Sequence, residues 1–250
     1  MASSTNRITK SVITKRDGLP LGRDESAVGQ AAISTALAGI FRGKFCDAIL
    51  PGRRATTFKK ADVIYDVGDR DRVFFFLESG FVKVGAVTPN GREVIYDIRK
   101  TGEVVGELCA YEQDRPDRAV ALEETRAVPV PYEEVLEALQ KRPDLLSRLV
   151  DVFCRALSEA YEQVNTLATD DTLHRLVKVL LKMGAKIGRG PGRTVEIPTY
   201  LTQEEISQMV AARRERVSTA LNSLRRLGSI SYSKHGRLIL DIKALEQYAG

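Results

Sequence analysis

The sequence predicts an α+β protein in which a small antiparallel β barrel or sandwich is followed by a long helix and then by a helix-turn-helix with a wing. Three observations support this prediction. Short β-rich runs lie between Phe58 and Pro131, an apolar heptad stripe follows Pro143, and a capped pair of helices with a hairpin follows Leu201. The 250 residues, 43% of them hydrophobic, are enough for two modest domains, each with its own core.

The β-rich segment consists of runs of β-branched and aromatic residues separated by turn signals at Gly68-Asp69, Ser79-Gly80, Asn90-Gly91 and Thr101-Gly102. Asn-Gly between two such runs is a hairpin signal. Several short strands at this spacing are typical of a small barrel or sandwich. The runs are DVIYDV, RVFFFLES, FVKVGAV, EVIYDI and RAVPV.

The N-terminal stretch MASSTNRITKSVITKRDGLPLGRDES is polar and lacks the continuous apolar core that a secretory signal needs. The chain also has no run of about 18 apolar residues. We therefore expect a cytoplasmic protein without a membrane partner and with a flexible tail over residues 1–30. The segment GQAAISTALAGIFRGKFCDAIL then has the apolar spacing of a helix that ends at Pro51-Gly52.

The cysteines and histidines do not form a pattern that predicts a metal or redox site. Cys46, Cys109 and Cys154 are far apart and odd in number, so we expect buried reduced thiols and neither a disulfide framework nor a close-spaced metal motif. The two histidines, His174 and His235, are expected to be structural or to face solvent.

A short helix is predicted over residues 132–140, and Pro143 is suited to the first position of a second helix. In that second helix two sets of apolar residues each step by seven, which forms an a/d seam over three heptads. Such a stripe favours pairing with a second copy of the chain over packing on its own domain. The predicted dimerisation residues are Leu146, Val150, Phe153, Leu157, Ala160, Val164 and Leu167.

The C-terminal pattern predicts two helices and a wing. Thr202 is suited to cap a first helix over residues 203–210, with Glu205 completing a capping box, and a second helix over 213–227 is ended by Gly228. SISYSKH and GRLILDI form a hairpin that turns at His235-Gly236. The predicted buried face of the second helix is Val217, Ala220, Leu221, Leu224 and Leu227, which leaves Arg214, Glu215, Ser218, Thr219 and Asn222 on the other face.

Charge and geometry together predict that this module binds DNA. Residues 170–250 contain 14 Lys+Arg against 8 Asp+Glu, whereas residues 1–169 contain 24 against 25. A winged helix-turn-helix lays its second helix in the major groove, where Arg can bridge O6 and N7 of guanine and Glu can accept from cytosine N4. The candidate DNA-binding residues are Arg213, Arg214, Glu215, Arg216, Ser218 and Thr219.

Over residues 35–248 the sequence resembles the cyclic-AMP receptor protein / fumarate-nitrate regulator (Crp/Fnr) family of bacterial transcription factors. LTQEEISQMV and RERVSTALNSLRRLGSI are similar to the family's helix-turn-helix, GELCAYEQDRPDRAV resembles its phosphate-binding cassette, and the seam matches its long dimer helix. The resemblance implies a jelly-roll domain of the cyclic-nucleotide-binding type over 31–142, a dimerisation helix over 143–169 and a winged helix-turn-helix over 170–250. It also implies a homodimer that binds two-fold symmetric double-stranded DNA and acts with RNA polymerase.

For the DNA-binding module, the resemblance implies that Arg214 and Glu215 contact bases while Arg213 and Arg216 hold phosphates. The family usually has an arginine where this chain has Thr219, so the preferred half-site is expected to differ. Relatives often place Ser or Thr as the helix cap at the position of Ala212. We expect a DNA phosphate to bind the amides that this alanine leaves uncapped.

For the cassette, the resemblance implies that amides after Gly106 and the Arg118 guanidinium hold a cyclic phosphate while Glu107 accepts from a ribose hydroxyl. The interval from Glu107 to Arg118 is longer than in nucleotide-binding relatives. Ala119 has no hydroxyl, whereas the bacterial receptor of this family has a serine at that position. The dimer-helix positions that hydrogen-bond adenine in that receptor are occupied by Ala160 and Tyr161 in this chain. The effector therefore stays open between a cyclic mononucleotide, another nucleotide such as a cyclic dinucleotide, and none. The candidate nucleotide-binding residues are Gly106, Glu107, Leu108, Arg118, Ala119 and Tyr161.

The main hypothesis is a homodimeric, sequence-specific transcription regulator that is not an enzyme, in which the sensor domain biases a hinge near residues 165–172. The same regulator acting without an effector is an alternative. A nucleotide-regulated enzyme subunit is disfavoured because no P-loop, paired-carboxylate or nucleophile motif follows residue 170. A protein-interaction adaptor that uses the winged helix as a docking surface is a further alternative. Three scattered cysteines do not favour an iron-sulfur cluster, and the histidines do not favour haem.

Overall fold

The computed structural model describes residues 46, 49–110, 114–190 and 192–248. The predicted tail over residues 1–30 lies outside the described residues, as does nearly all of the helix predicted before Pro51. The strands are β1 (Thr56–Phe58), β2 (Val63–Tyr65), β3 (Val73–Ser79), β4 (Phe81–Val87), β5 (Glu93–Lys100), β6 (Val104–Val105), β7 (Arg118–Ala121), β8 (Thr125–Pro131), β9 (Thr194–Glu196), β10 (Ile230–Tyr232) and β11 (Leu238–Asp241). The helices are α1 (Tyr132–Gln140), α2 (Pro143–Thr169), α3 (Thr172–Ile187), α4 (Gln203–Val210), α5 (Arg214–Arg226) and α6 (Ile242–Glu246).

The N-terminal domain is a sandwich of two four-stranded antiparallel sheets, with strand orders β1-β8-β3-β6 and β2-β7-β4-β5. Alternate side chains from both sheets form a common core, because successive residues of a strand point to opposite faces. This arrangement confirms the predicted jelly roll, with sheets that keep open edges. The core residues are Tyr65, Phe75, Leu77, Val82, Val84, Val105, Ala119 and Ala127.

The hairpin between β4 and β5 is confirmed at Asn90-Gly91, where Gly91 has a φ of +78° that favours glycine. The pairing register shifts between Val84 and Gly85. A Cβ atom on Gly85 would lie 2.0 Å from the carbonyl oxygen of Val94, so the close approach of the two strands requires a glycine there.

The helix α2 begins at Pro143, as predicted, and its 27 residues give it a length of about 40 Å. Its first turns and α1 cover the outer face of the first sheet through Leu139, Leu145, Phe74 and Val128. The rest of α2 leaves the sandwich and leads to the C-terminal domain.

The C-terminal domain packs α3, α4 and α5 against a three-stranded sheet of order β10-β11-β9. The strand β9 was missed from the sequence because it is only three residues long and follows a glycine-rich loop. Leu227 was wrongly predicted to be buried. It is 59% exposed because α5 ends one residue before it and its side chain lies outside the core formed by Val217, Leu221 and Leu224.

The two domains share apolar contacts. Phe81, Ile98 and Leu122 of the sandwich belong to the same buried cluster as the core of the C-terminal domain. Helix α4 lies against β5 at this junction. The C-terminal domain is therefore docked on the outer face of the sheet that contains β4 and β5.

The thiols differ from the expectation of burial. Cys109 is buried, but Cys46 is partly exposed and Cys154 is exposed on α2, so the prediction is wrong for Cys154. Cys154 lies on the solvent-facing surface of α2, beside the exposed apolar stripe, and so it is not part of a core. Within the described ranges, no helix is both long enough and apolar enough to cross a membrane.

Candidate nucleic-acid interface and nucleotide cassette

The first helix of the helix-turn-helix has the predicted capping box. The Thr202 hydroxyl accepts from the Glu205 amide at 3.1 Å, and the Glu205 carboxylate accepts from the Thr202 amide at 2.9 Å. These two reciprocal bonds satisfy N–H groups that a helix start otherwise leaves free. They fix the residue at which α4 begins.

The turn between α4 and α5 is made by an alanine in a left-handed conformation. Ala211 has φ 53° and ψ 42°, and Ala212 is buried in the core beside it. The N-cap of α5 is Arg213, so the expectation that Ala212 occupies the cap position was wrong. Because the arginine side chain has no acceptor, no side-chain cap bond forms at the start of α5.

The end of α5 is closed as predicted by Gly228, which has a φ of +74°. The Gly228 amide donates to the Arg225 carbonyl at 3.1 Å, and the Ser229 amide donates to the Leu224 carbonyl at 3.0 Å. These two bonds form a Schellman motif. The helix α5 is thus firmly closed at its C-terminus and uncapped at its N-terminus.

The charged residues predicted to bind DNA lie at the uncapped N-terminus of α5 and are exposed to solvent. Arg213, Arg214, Glu215 and Arg216 are all exposed, and none of the described acidic or basic groups forms a salt bridge with them. Thr219 is exposed and donates its hydroxyl to the Glu215 carbonyl at 2.9 Å. This turn therefore combines three arginines, free helix amides and a positive helix-dipole end, an arrangement suited to an anion.

The wing is the hairpin of β10 and β11. Its turn is closed by Gly236, whose φ is +72° and whose amide donates to the Ser233 carbonyl at 2.9 Å. His235 is exposed at the tip, as expected. The other histidine, His174, has its backbone amide bonded at 2.9 Å to Asp171, the N-cap of α3, which is the expected structural role.

The cassette begins with a glycine that its surroundings require. Gly106 has a φ of +91°, and a Cβ atom there would lie 2.7 Å from the Val73 carbonyl oxygen and 2.9 Å from Nη1 of Arg115. A 3₁₀ turn follows over Glu107–Ala110. The backbone of the cassette is thus tightly packed where it leaves β6.

A second cassette arginine, Arg115, was missed in the sequence interpretation. Its buried guanidinium donates to the carbonyl oxygens of Val73 at 2.7 Å and Gly106 at 3.2 Å, pairs with Asp71 at 2.9 Å and lies 4.1 Å from the Tyr65 ring centroid. Arg115 therefore holds the cassette closed against β3. Its position between Asp114 and Asp117 was the available signal, but it did not distinguish a structural arginine from a ligand-binding one.

A buried pair supports the same region. The Tyr65 hydroxyl donates to Asp117 at 3.0 Å. Burial raises the pKa of Tyr65 and also raises that of Asp117. The inner wall of the cassette is therefore polar at this point while the adjoining core remains apolar.

The two charged side chains among the six candidate nucleotide-binding residues, Arg118 and Glu107, form ion pairs within the protein. Arg118, with 22% of its side chain exposed, has Nε 3.3 Å from Asp66 and Nη1 3.7 Å from Glu93. Glu107 accepts from Nη2 of Arg99 at 2.8 Å. Ala119 is fully buried, whereas Leu108 and Tyr161 are exposed, with Tyr161 on α2. The structure thus brings Glu107 and Arg118 into separate ion pairs.

The apolar stripe of α2 lies in solvent in the single chain. Its large members are between 42% and 62% exposed, and Ala160 is exposed as well. A continuous apolar face of this length is unusual on a monomer surface and marks an interaction site. The large members are Leu146, Val150, Phe153, Leu157, Val164 and Leu167.

Comparisons with known proteins match both domains. A family model described as a cyclic nucleotide-binding domain matches residues 55–142, and one described as a Crp-like helix-turn-helix domain matches residues 174–248. The first match covers the sandwich, the cassette and α1. The second covers nearly all of the C-terminal domain.

Similar proteins match over most of their length. A CRP-like cAMP-activated global transcriptional regulator of Mycobacterium tuberculosis is 29% identical over 86% of this chain and 97% of its own. A global nitrogen regulator of Synechocystis is 28% identical over 84% of this chain and 94% of its own. A solved transcriptional regulator of the CRP/FNR family from Thermus thermophilus has a TM-score of 0.61 and 28% identity, covering 78% of this chain and 98% of that one.

Proposed function

Because this chain belongs to the Crp/Fnr family of DNA-binding transcriptional regulators, we propose that it works as a homodimer whose two α5 helices enter successive major grooves of a two-fold symmetric site. The observation that supports this most directly is the exposed, unpaired and uncapped arginine turn at the start of α5. We also propose that the protein acts in the cytoplasm, where its partner DNA lies. The DNA-bound dimer would act on RNA polymerase. In vitro transcription from a template that contains the DNA-binding site tests this.

Within the turn, we assign different roles to neighbouring side chains. The first residues of a recognition helix face base edges, so Arg214 and Glu215 are proposed to contact bases. Arg213 and Arg216 are proposed to hold phosphates, where the free amides of α5 add to the attraction. Ser218 and Thr219 follow one turn later and complete the contact surface, with the Thr219 hydroxyl already engaged by its own helix.

We propose that the stripe on α2 is the dimer interface. In a parallel pair of helices, a and d residues of one protomer pack into holes formed by the other. Two-fold pairing would cover the exposed leucines and valines and would give the dimer two α5 helices, one for each of two successive major grooves about 34 Å apart. Neither effect is available to a monomer.

We further propose that the cassette binds a cyclic nucleotide through Arg118 and Glu107. One relative is named as cAMP-activated, and the matched domain type supports a nucleotide of this class. In this chain a phosphate would replace Asp66 and Glu93 at Arg118, and a ribose hydroxyl would replace Arg99 at Glu107. A cyclic dinucleotide offers the same phosphate chemistry and belongs in the same test.

The DNA-binding proposal is tested by selecting DNA sites from a random library and measuring affinity for Arg214→Ala. Loss of a bidentate base contact is expected to weaken binding by about 1–3 kcal/mol per half-site and to relax the preference at one base position. Arg126→Ala, which removes an exposed arginine of β8 that pairs with Glu78, is the matched control. Full affinity in Arg214→Ala would instead favour a protein-docking role for the winged helix.

The effector proposal is tested by calorimetric titration of the dimer with cyclic mononucleotides and cyclic dinucleotides. Binding that Arg118→Ala abolishes and Arg126→Ala preserves would establish the cassette as a phosphate site. No heat from any nucleotide, with protein shown to be folded and dimeric, would exclude an effector of this class and favour DNA binding by the unliganded dimer.

A further inference from the structure

We propose that Lys83 and Lys186 are positioning residues that couple the cassette to the DNA-binding domain through two chains of ion pairs. This inference rests on the proposed role of the cassette as a nucleotide site. It adds that the same two residues expected to bind the nucleotide, Glu107 and Arg118, are each the first member of a chain that ends in the DNA-binding domain.

The first chain, called the α3 chain, runs from Glu107 to Lys186. Glu107 accepts from Arg99 at 2.8 Å, Nε of Arg99 lies 3.2 Å from Asp97, and Asp97 lies 2.6 Å from Nζ of Lys186. Lys186 belongs to α3 and only 5% of its side chain is exposed. Glu103 lies 3.6 Å from the same ammonium group, so this lysine from the C-terminal domain is buried among carboxylates of the sandwich.

The second chain, called the α4 chain, runs from Arg118 to Glu205. Arg118 lies 3.7 Å from Glu93, Glu93 lies 3.6 Å from Nζ of Lys83, and Nζ of Lys83 lies 3.6 Å from Glu205. Glu205 is the residue that closes the capping box of α4. The last link of this chain therefore pairs a strand of the sandwich with the first turn of the helix-turn-helix.

Each chain contains one shared carboxylate, and sharing makes the links competitive. Glu93 serves both Arg118 and Lys83, and Asp97 serves both Arg99 and Lys186. A phosphate that binds Arg118 releases Glu93 to Lys83, which weakens the hold of Lys83 on Glu205.

The α3 chain responds in the same direction. A ribose hydroxyl that binds Glu107 releases Arg99 to Asp97, which weakens the hold of Asp97 on Lys186. Nucleotide binding therefore loosens both ionic contacts between the domains. By linkage, a ligand that favours the looser state shifts the population of domain arrangements toward it.

The test compares Lys83→Met and Lys186→Met in the full-length dimer with Lys243→Met, which changes an exposed lysine on the C-terminal domain. Methionine keeps a long apolar side chain and removes the charge. Hydrogen-exchange mass spectrometry of β4, β5, α3 and α4 measures docking, and affinity for a library-selected DNA site is measured with and without cAMP or cyclic di-GMP. Circular dichroism and melting temperature show that each variant is folded.

In the ligand-free protein, the amide hydrogens at the domain junction are expected to exchange faster in Lys83→Met and Lys186→Met than in the wild type. The DNA affinity of both variants is expected to differ at least threefold from that of the wild type. Lys243→Met should change neither. Unchanged exchange, or faster exchange with unchanged DNA affinity, would overturn the proposal.

A bound nucleotide provides the second comparison. The nucleotide's effect on DNA affinity should shrink at least threefold in both variants, because the contacts it loosens are already absent. A full nucleotide effect in the variants would overturn the coupling. If no nucleotide binds the wild type, the effector proposal fails, and the ligand-free measurements alone decide whether the lysines control docking.

Discussion

Replacing Arg213 by serine is expected to stabilise the free protein and to weaken its DNA binding at the same time. Arg213 is the N-cap of α5, with φ −70° and ψ 140°, the extended conformation that capping residues adopt. It forms no side-chain cap bond. A serine there can accept from a first-turn amide, which typically contributes about 1 kcal/mol, or about 2–4 °C in melting temperature for a chain of this size.

The effect on DNA has the opposite sign. Each dimer would lose two proposed phosphate contacts, and the hydroxyl would engage amides that the phosphate needs. Each phosphate contact contributes about 0.9 to the slope of log K against log salt, so the slope should become about 2 units shallower. Binding should weaken similarly on all DNA sequences, because phosphates carry no sequence information.

The assay combines thermal melting of the free protein with DNA titrations over a range of salt concentrations. Arg126→Ser is the control, because it removes an exposed arginine charge from the sandwich and leaves α5 unchanged. An unchanged melting temperature would refute the argument that the cap is vacant. A raised melting temperature with an unchanged salt slope would refute the argument that Arg213 holds a phosphate.

Three further predictions follow from burial and contact. Burial raises the pKa of Glu103, so ionisation of this carboxyl opposes folding. The melting temperature of Glu103→Gln should therefore rise relative to that of the wild type as the pH increases above the unfolded carboxyl pKa of about 4.3. An equal difference in melting temperature between the two proteins at about pH 4 and pH 8 would contradict this. Leu157→Glu should weaken dimerisation at least about 100-fold in sedimentation experiments, since two buried leucines contribute about 3 kcal/mol or more; unchanged dimerisation would place the interface elsewhere. Gly85→Ala should lose about 1–3 kcal/mol of stability through its clash with the carbonyl oxygen of Val94; an unchanged melting temperature would contradict the strand contact.

Local signals in the sequence predicted local structure well. The capping box at Thr202, the glycine end of α5 and the proline start of α2 each depend on residues within a few positions of one another, and each is confirmed. The strands β4 and β5 were found because their apolar pattern and the Asn90-Gly91 turn agree. The strands β1, β6, β7 and β9 were missed because each has only two to four residues and none of them lies within a longer β-rich run. The equally short strands β2 and β10 were found because they belong to such runs.

The candidate sites were predicted less completely, since their partners are distant in sequence. Arg118 was identified by motif, but its pairs with Asp66 and Glu93 depend on how β2, β5 and β7 lie in one sheet. The link between Asp97 and Lys186 joins residues 89 positions apart in two domains. Burial alone would raise the pKa of Asp97, but Lys186 and Arg99 outweigh it and hold that pKa at about 2. No pattern within one element indicates such a pair.

The ion pairs between the domains run in both directions, and this constrains how the two domains can evolve. The sandwich contributes Lys83 to an acid of α4, and the C-terminal domain contributes Lys186 to acids of the sandwich. Each domain thus supplies a cation to the other and depends on the other's carboxylate. A chimera that joins this sandwich to the winged helix of a distant relative would meet unmatched charges at two places at once. The two domains must therefore change together at these contacts, although each also has buried apolar residues of its own.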